Sequence, residues 1–262
     1  MNKLTPFALI IAVSTAQAGP MDHDTTLTIL TGPQTAWGGV MAGLRIDMAD
    51  GWKTYWRAPG DAGIPPQIQW GGSRNVESVV FHWPVPKVFN QDGMRSIGYH
   101  DTVTIPVEVF PNDAGDIRLS GTMNIGVCDE ICVPVNLPFD TALPRDAGRN
   151  AAISAALINR PSTATEAAVG DVTCTLSPIT DGLQITASIP VSNSGNEDLI
   201  LETSDPYVWV SEPSVTYGNG MITATSDLIH VDGTGFAIDR SGVRITVLGQ
   251  SRAVDIRGCT AP

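Results

Sequence analysis

The chain has 262 residues, 42% hydrophobic and 16% charged, with 26 Gly, 19 Pro and a formal net charge of −12. This composition builds a packed globular protein of one large or two smaller domains and is too rich in Gly and Pro for a helical bundle. An acidic chain without a basic cluster is poorly matched to nucleic acid or to anionic membrane surfaces.

The first residues, MNKLTPFALIIAVSTAQA, hold one lysine, an apolar run from Phe7 to Val13 and then Ala16-Gln17-Ala18. Small residues there suit signal-peptidase cleavage before Gly19, and the run is too short to span a bilayer. Residues 1–18 are therefore expected to be a signal peptide, and the mature chain to be exported without membrane insertion. Losing Lys3 takes the net charge from −12 to −13. In an oxidising compartment four cysteines can form two disulfides. Three pairings are open; spacing favours Cys128–Cys132 and Cys174–Cys259 without proving them.

From residue 25 the chain reads as short strands. TTLTIL, MAGLRIDM, WKTYW, VESVVFHW and TVTIPVEV are rich in Val, Ile, Thr and aromatics and are separated by Gly, Pro, Asn and Asp. Leu44, Ile46 and Met48 alternate with Arg45 and Asp47, the period of a half-buried strand. The aromatics Trp52, Tyr55, Trp56, Trp70 and Trp83 read as core filling rather than as a binding surface. Pro59 to Gly63 reads as a turn. DIRLSGTMNIGV and CVPVNLPFDTAL follow, flanking CDEIC. About seven such strands over about 120 residues predict an all-β immunoglobulin-like β-sandwich spanning 19–143.

Strands on both sides of CDEIC predict a hairpin whose three loop residues are Asp129, Glu130 and Ile131. Pro134 removes a ladder donor and points to an edge strand, which puts the sulfurs at an accessible rim. The pair could clip the hairpin, hold a metal or exchange electrons. No histidine among His23, His82, His100 and His230 stands at metal-ligand spacing. Met94 and Met123 leave a soft metal such as Cu(I) as a minor alternative. For exchange, Asp129 and Glu130 disfavour a thiolate, so the oxidised pair is expected to be attacked by a partner's low-pKa thiolate.

After Leu143 the pattern changes. RDAGRNAAISAALINRP places Ile153, Leu157 and Ile158 at helical spacing, with Pro161 as a stop, and STATEAAVG reads as a flexible connector. Residues 144–170 are thus a short helical linker. Strand signals resume from Asp171, predicting a second, smaller all-β domain over 171–262. A Cys174–Cys259 bridge would close nearly all of it. The chain-entropy account assigns that loop about 4.6 kcal/mol, against about 2 kcal/mol for the Cys128–Cys132 loop.

Several stretches in order resemble one family. GWKTYWRAPGDAGIPP, HWPVPKVF, GYHDTVTIPVEV and GVCDEICVP are similar to the N-terminal periplasmic domain of the DsbD/ScsB thiol:disulfide interchange proteins, over roughly residues 25–143; the later half resembles the longer ScsB type. The resemblance implies a periplasmic immunoglobulin-like carrier whose redox pair is Cys128 and Cys132, with Cys132 forming the mixed disulfide. It implies an electron donor that is a thioredoxin-like domain or a membrane thiol transporter of the DsbD/CcdA type, and periplasmic disulfide-bearing proteins as acceptors. It also implies a cap loop, placed here at Phe89, Asn90, Gln91, Asp92 and Gly93. His100 would lie near the pair if that cap does; a solvated loop histidine is the plainer expectation. Full-length members continue into membrane-spanning and thioredoxin-like domains, so a chain ending at Pro262 is expected to act on separate polypeptides. The cysteine spacing is shorter than in the best-known members. No cofactor is expected. The competing reading is a non-enzymatic exported scaffold with two structural disulfides.

Overall fold

The computed structural model describes residues 25–262, except residues 61, 62, 92, 219, 234 and 251 and the side chain of Gln91. The signal-peptide reading of residues 1–18 lies outside the described residues. The first strands are β1 (Thr26–Gln34), β2 (Val40–Asp47), β3 (Lys53–Tyr55), β4 (Gln67–Gln69) and β5 (Ser78–Phe81). They are followed by β6 (Lys87–Gln91), β7 (Met94–His100), β8 (Thr102–Phe110), β9 (Ile117–Cys128) and β10 (Cys132–Leu143). One sheet has the order β1-β2-β8-β5; the other runs β10-β9-β3-β7-β6, with β4 joined to β9.

Alternation along β2 explains how the sheets meet. Val40, Ala42, Leu44 and Ile46 are each at most 1% exposed and pack with Leu119, Met123, Ile125 and Val127 of β9. Burying each large aliphatic contributes about 1.5–3 kcal/mol. Gly43 lies on the opposite face. There α1 (Ala151–Ile158) packs, and a Cβ at Gly43 would meet Ile153 Cγ1 at 2.9 Å. Asn150 caps the helix by accepting from the Ala152 and Ile153 amides. Of the three aliphatics at helical spacing, Ile153 is 2% exposed but Ile158 is 85% exposed, because this short helix buries a single residue. Trp56 is fully buried and Trp52, Trp70 and Trp83 pack against the same core, so these aromatics fill space.

The connector expected after Pro161 is instead ordered. Ser162–Thr163 forms β11, paired in parallel with β19 (Ala253–Arg257). Ala164, Ala167 and Val169 pack on the second core, so small apolar side chains read as linker composition are here packing surface. The Glu166 carboxylate accepts from the Thr163 amide at 2.8 Å and pairs with Arg160. Those hydrogen bonds, Arg160's first, lower its pKa from 4.5 to about 2. A lowered folded-state value means that the clip is intact above the ordinary glutamate range and is lost as pH falls through about 2. A side-chain NMR titration of Glu166 is expected to place its midpoint there; a midpoint near the ordinary value would show that the clip does not persist in solution.

The second sandwich comprises β11, β12 (Thr173–Ile179), β13 (Gly182–Pro190), β14 (Asp198–Glu202), β15 (Val208–Val210), β16 (Ser214–Gly218), β17 (Met221–His230), β18 (Arg244–Leu248) and β19. Its sheets have the orders β11-β19-β18-β14 and β12-β13-β17-β15, with β16 also on β17. Cys174 of β12 is bonded to Cys259, just beyond β19, tying one sheet to the other.

The sandwiches share an interface. Ile200, Leu248 and Ala253 join the core of the first. Arg57, its side chain 10% exposed, pairs with Glu202 at 2.9 Å and Asp255 at 3.6 Å and donates to Thr246 Oγ1 at 2.9 Å. Its guanidinium carbon lies 3.6 Å from the centre of the Trp56 ring. Arg95 donates to the Leu199 carbonyl and pairs with Asp198 and Glu212.

Candidate functional site: a disulfide at the end of a sheet

The hairpin β9–β10 brings the two cysteines into register, Cys132 opposite Cys128, with Asp129, Glu130 and Ile131 as its loop. The sulfurs are bonded and the Cα atoms are 4.1 Å apart. β10 is an edge strand and Pro134 lies on it, exposed. The two residues differ sharply in exposure: Cys128 is 0% exposed, whereas Cys132 is exposed.

Register explains what surrounds them. Lys53 of β3 pairs with Cys128 on one side and with His100 of β7 on the other. Directly opposed residues point to one face of a sheet. His100, Lys53, Cys128 and Cys132 therefore form a single row across four strands. Tyr55, two residues beyond Lys53, shares that face. Its ring lies over Gly126, where a Cβ would meet Tyr55 Cε2 at 3.1 Å. Since disulfide sulfurs carry no hydrogen, the Tyr55 hydroxyl is the donor, 3.0 Å from Cys128 Sγ and 3.2 Å from Cys132 Sγ. Burial pushes the Tyr55 phenol up, which keeps it protonated and donating.

A cavity of about 430 Å³ opens beside Cys128, lined among others by Lys53, Phe89, Asn90, His100 and Asp129. The Phe89 ring meets His100 edge-on at 4.6 Å between centroids, and Lys53 Nζ lies 5.4 Å from the centre of the same ring. Of the segment 89–93 expected as a cap, Phe89 and Asn90 thus sit at the pair. Gln91 pairs with Met94, Gly93 makes the turn with φ of 78°, and Asp92 lies outside the described residues. A larger cavity of about 530 Å³ lies between the sandwiches, bordered by Arg57, Arg95 and Trp209. No cysteine lines it, so the sulfur chemistry belongs to the smaller one.

Two residues of the site escaped the sequence reading. Tyr55 was assigned to the core, and Lys53 was assigned nothing. Alternation in WKTYW could have put them on one face, but not beside cysteines 73 or more positions away. The charges weighed in sequence were also incomplete. Asp129 lines the cavity and Glu130 is exposed, while the basic side chains Lys53 and His100 come from other strands. Met123 is fully buried and Met94 is 56% exposed at the β6–β7 turn. Among the described residues no cluster of three or more His, Cys, Asp or Glu could hold a metal.

Residues 28–144 match the family model described as "Thiol:disulfide interchange protein DsbD, N-terminal". Over this stretch the first sandwich is similar to the DsbD N-terminal family. The N-terminal periplasmic domain of ScsB from Proteus mirabilis is similar in structure, with a TM-score of 0.67 and 22% identity, over 92% of this chain and 94% of that one. The likeness spans both sandwiches and shows a shared all-β fold. A marsupial T cell receptor aligns at a TM-score of 0.20 and 12% identity, over 91% of this chain and 61% of that one, too little to bear on the argument. Comparison with curated proteins finds no match. The match to the DsbD N-terminal family supports thiol:disulfide interchange as the chemistry of the first sandwich. No helix of the described residues is long and apolar enough to cross a membrane.

Proposed function

We propose that this protein is a periplasmic electron carrier, exported by residues 1–18, in which Cys128 and Cys132 alternate between disulfide and dithiol. In this reading 19–143 is the redox domain, 144–170 a linker whose end, from Ser162, docks on the second sandwich, and 171–262 a second domain stapled by Cys174–Cys259. The donor is a thioredoxin-like domain or a membrane thiol transporter of the DsbD/CcdA type; the acceptors are exported proteins with disulfides.

The observation that carries the reading is the contrast between exposed Cys132 and fully buried Cys128. A donor thiolate can reach Cys132 Sγ. Its attack forms the mixed disulfide and breaks the Cys128–Cys132 bond, and the electron pair leaves on Cys128 Sγ. The donor's second thiolate then attacks its own bridging sulfur and releases Cys132. The donor is left oxidised and this chain holds two thiols after taking up two protons. Reduction of an acceptor runs the same steps in reverse.

The test is selective reduction of the oxidised full chain by a reduced thioredoxin-fold protein, followed by thiol alkylation and peptide mapping. Cys128 and Cys132 are expected to be alkylated within minutes while Cys174 and Cys259 stay bonded. A Cys128–Cys132 bond that resists the thioredoxin-fold protein, and whose loss lowers stability, would make the pair a staple and favour the scaffold reading.

A further inference from the structure

The interchange step leaves one requirement unmet, and the cavity beside Cys128 answers it. When the disulfide opens, the electron pair lands on a sulfur whose residue has no exposed surface. That sulfur must take a proton in one half of the cycle and give it up in the other. An efficient proton-transfer group titrates near the working pH.

The groups around Cys128 can be compared one by one. Tyr55 reaches the sulfur, but its phenol is pushed up by burial, so it donates a hydrogen bond and keeps its proton. Asp129 lines the cavity from the hairpin loop, and its carboxylate opposes a negative charge on the sulfur. Lys53 lies between His100 and Cys128 in the row and brings a positive charge over the Phe89 ring. Its ammonium favours an anion on the sulfur. β6 contributes Val88, Phe89 and Asn90 here, none of them titratable. Asp101, next to His100, accepts from the Gly51 amide instead. His100 remains. Imidazole ordinarily titrates near 6.5, and His100 Nδ1 is buried with no hydrogen-bond partner among the described residues. Buried polar atoms are ordinarily paired, and the His100 side chain lines, with Cys128, a cavity wide enough for water to relay a proton.

We propose that His100 is the proton-exchange group of the buried sulfur, with Lys53 holding the transient thiolate. The inference rests on the interchange reading of the preceding subsection. As the Cys128–Cys132 bond breaks, imidazolium His100 gives its proton to the Cys128 thiolate and becomes neutral. As the pair re-forms, neutral His100 takes the proton from the Cys128 thiol, and the freed thiolate attacks Cys132 Sγ in the mixed disulfide. Electrons pass between the sulfurs; only the proton passes to and from the imidazole.

The experiment uses the oxidised full chain and dithiothreitol. The rate of opening of the Cys128–Cys132 bond is measured from pH 5 to pH 9 and corrected for the thiolate fraction of the reagent. The wild-type corrected rate is expected to fall above the histidine range. His100→Gln, close to histidine in size, is expected to lose that limb and to react about a hundredfold more slowly at pH 6, the lower end of what a positioned acid supplies. Added imidazole is expected to restore rate to His100→Ala. Superimposable wild-type and His100→Gln profiles overturn the inference; so does a slower variant that keeps the wild-type profile, since His100 would then only pack against Phe89. Failure of the carrier reading looks different: a thioredoxin-fold reductant does not turn the pair over, while the dithiothreitol profile keeps its His100-dependent limb.

Discussion

Replacing Cys128 by serine is expected to abolish two-electron interchange and to leave Cys132 locked to its donor in a stable mixed disulfide. Cys132 is the exposed member of the pair, so a donor's attack still reaches it. The buried thiolate that would resolve the complex is missing. Cys132→Ser is expected to give the opposite result. It is equally inactive but traps almost no donor, because Cys128 is 0% exposed behind the hairpin and the Tyr55 ring. Stability should fall by no more than about 2 kcal/mol in either variant, the most that the chain-entropy account assigns to so short a loop. Non-reducing electrophoresis of each variant with a reduced thioredoxin-fold protein, beside thermal unfolding, reads both effects. Equal trapping by the two variants would contradict the exposure argument, and no trapping by either would count against the carrier itself.

The largest stability effect is expected at Arg57. Its side chain is buried between the sandwiches, and its partners Glu202, Asp255 and Thr246 all come from the second one. Burial lowers the Arg57 pKa, yet Glu202 and Asp255 offset part of that cost. Asp255 is balanced similarly. Burial pushes its carboxyl up, and Arg244, Arg57 and Arg257 together outweigh that and hold it below its ordinary value. Removing one member of such a buried pair typically costs about 3–5 kcal/mol, because the remaining charges stay buried and unmatched. Arg57→Ala is therefore expected to lose about that much in urea unfolding and to separate the melting of the two sandwiches. Arg57→Lys should recover little, since a point charge cannot keep the forked contacts to Glu202 and Thr246 or the stacking on Trp56. A loss below about 1 kcal/mol would mean that the contact behaves like an exposed ion pair.

Much of the fold was legible because strand periodicity is local. Leu44, Ile46 and Met48 announced a half-buried strand, and the strand-like flanks of CDEIC announced a hairpin that places Cys128 opposite Cys132. Pro134 announced an edge strand. The connector was misread because Ala and Val in STATEAAVG show that the segment lacks bulk, not that a parallel partner in β19 awaits it.

The sequence by itself determined that there is a sulfur pair in a tight hairpin, and its motifs pointed to the family of the first sandwich. It also determined which residues of each strand share a face, because that follows from a repeat of two along one chain. Which strands lie side by side was decided by tertiary structure alone. The order β9-β3-β7 brings Lys53 and His100 to Cys128, and the loop after β3 carries Arg57 to the second sandwich. Neighbours across a sheet are chosen by long-range burial and backbone pairing, and neither leaves a periodic mark in the sequence. For that reason the cysteines could be read from the chain, while the tyrosine, lysine and histidine around them needed the folded protein.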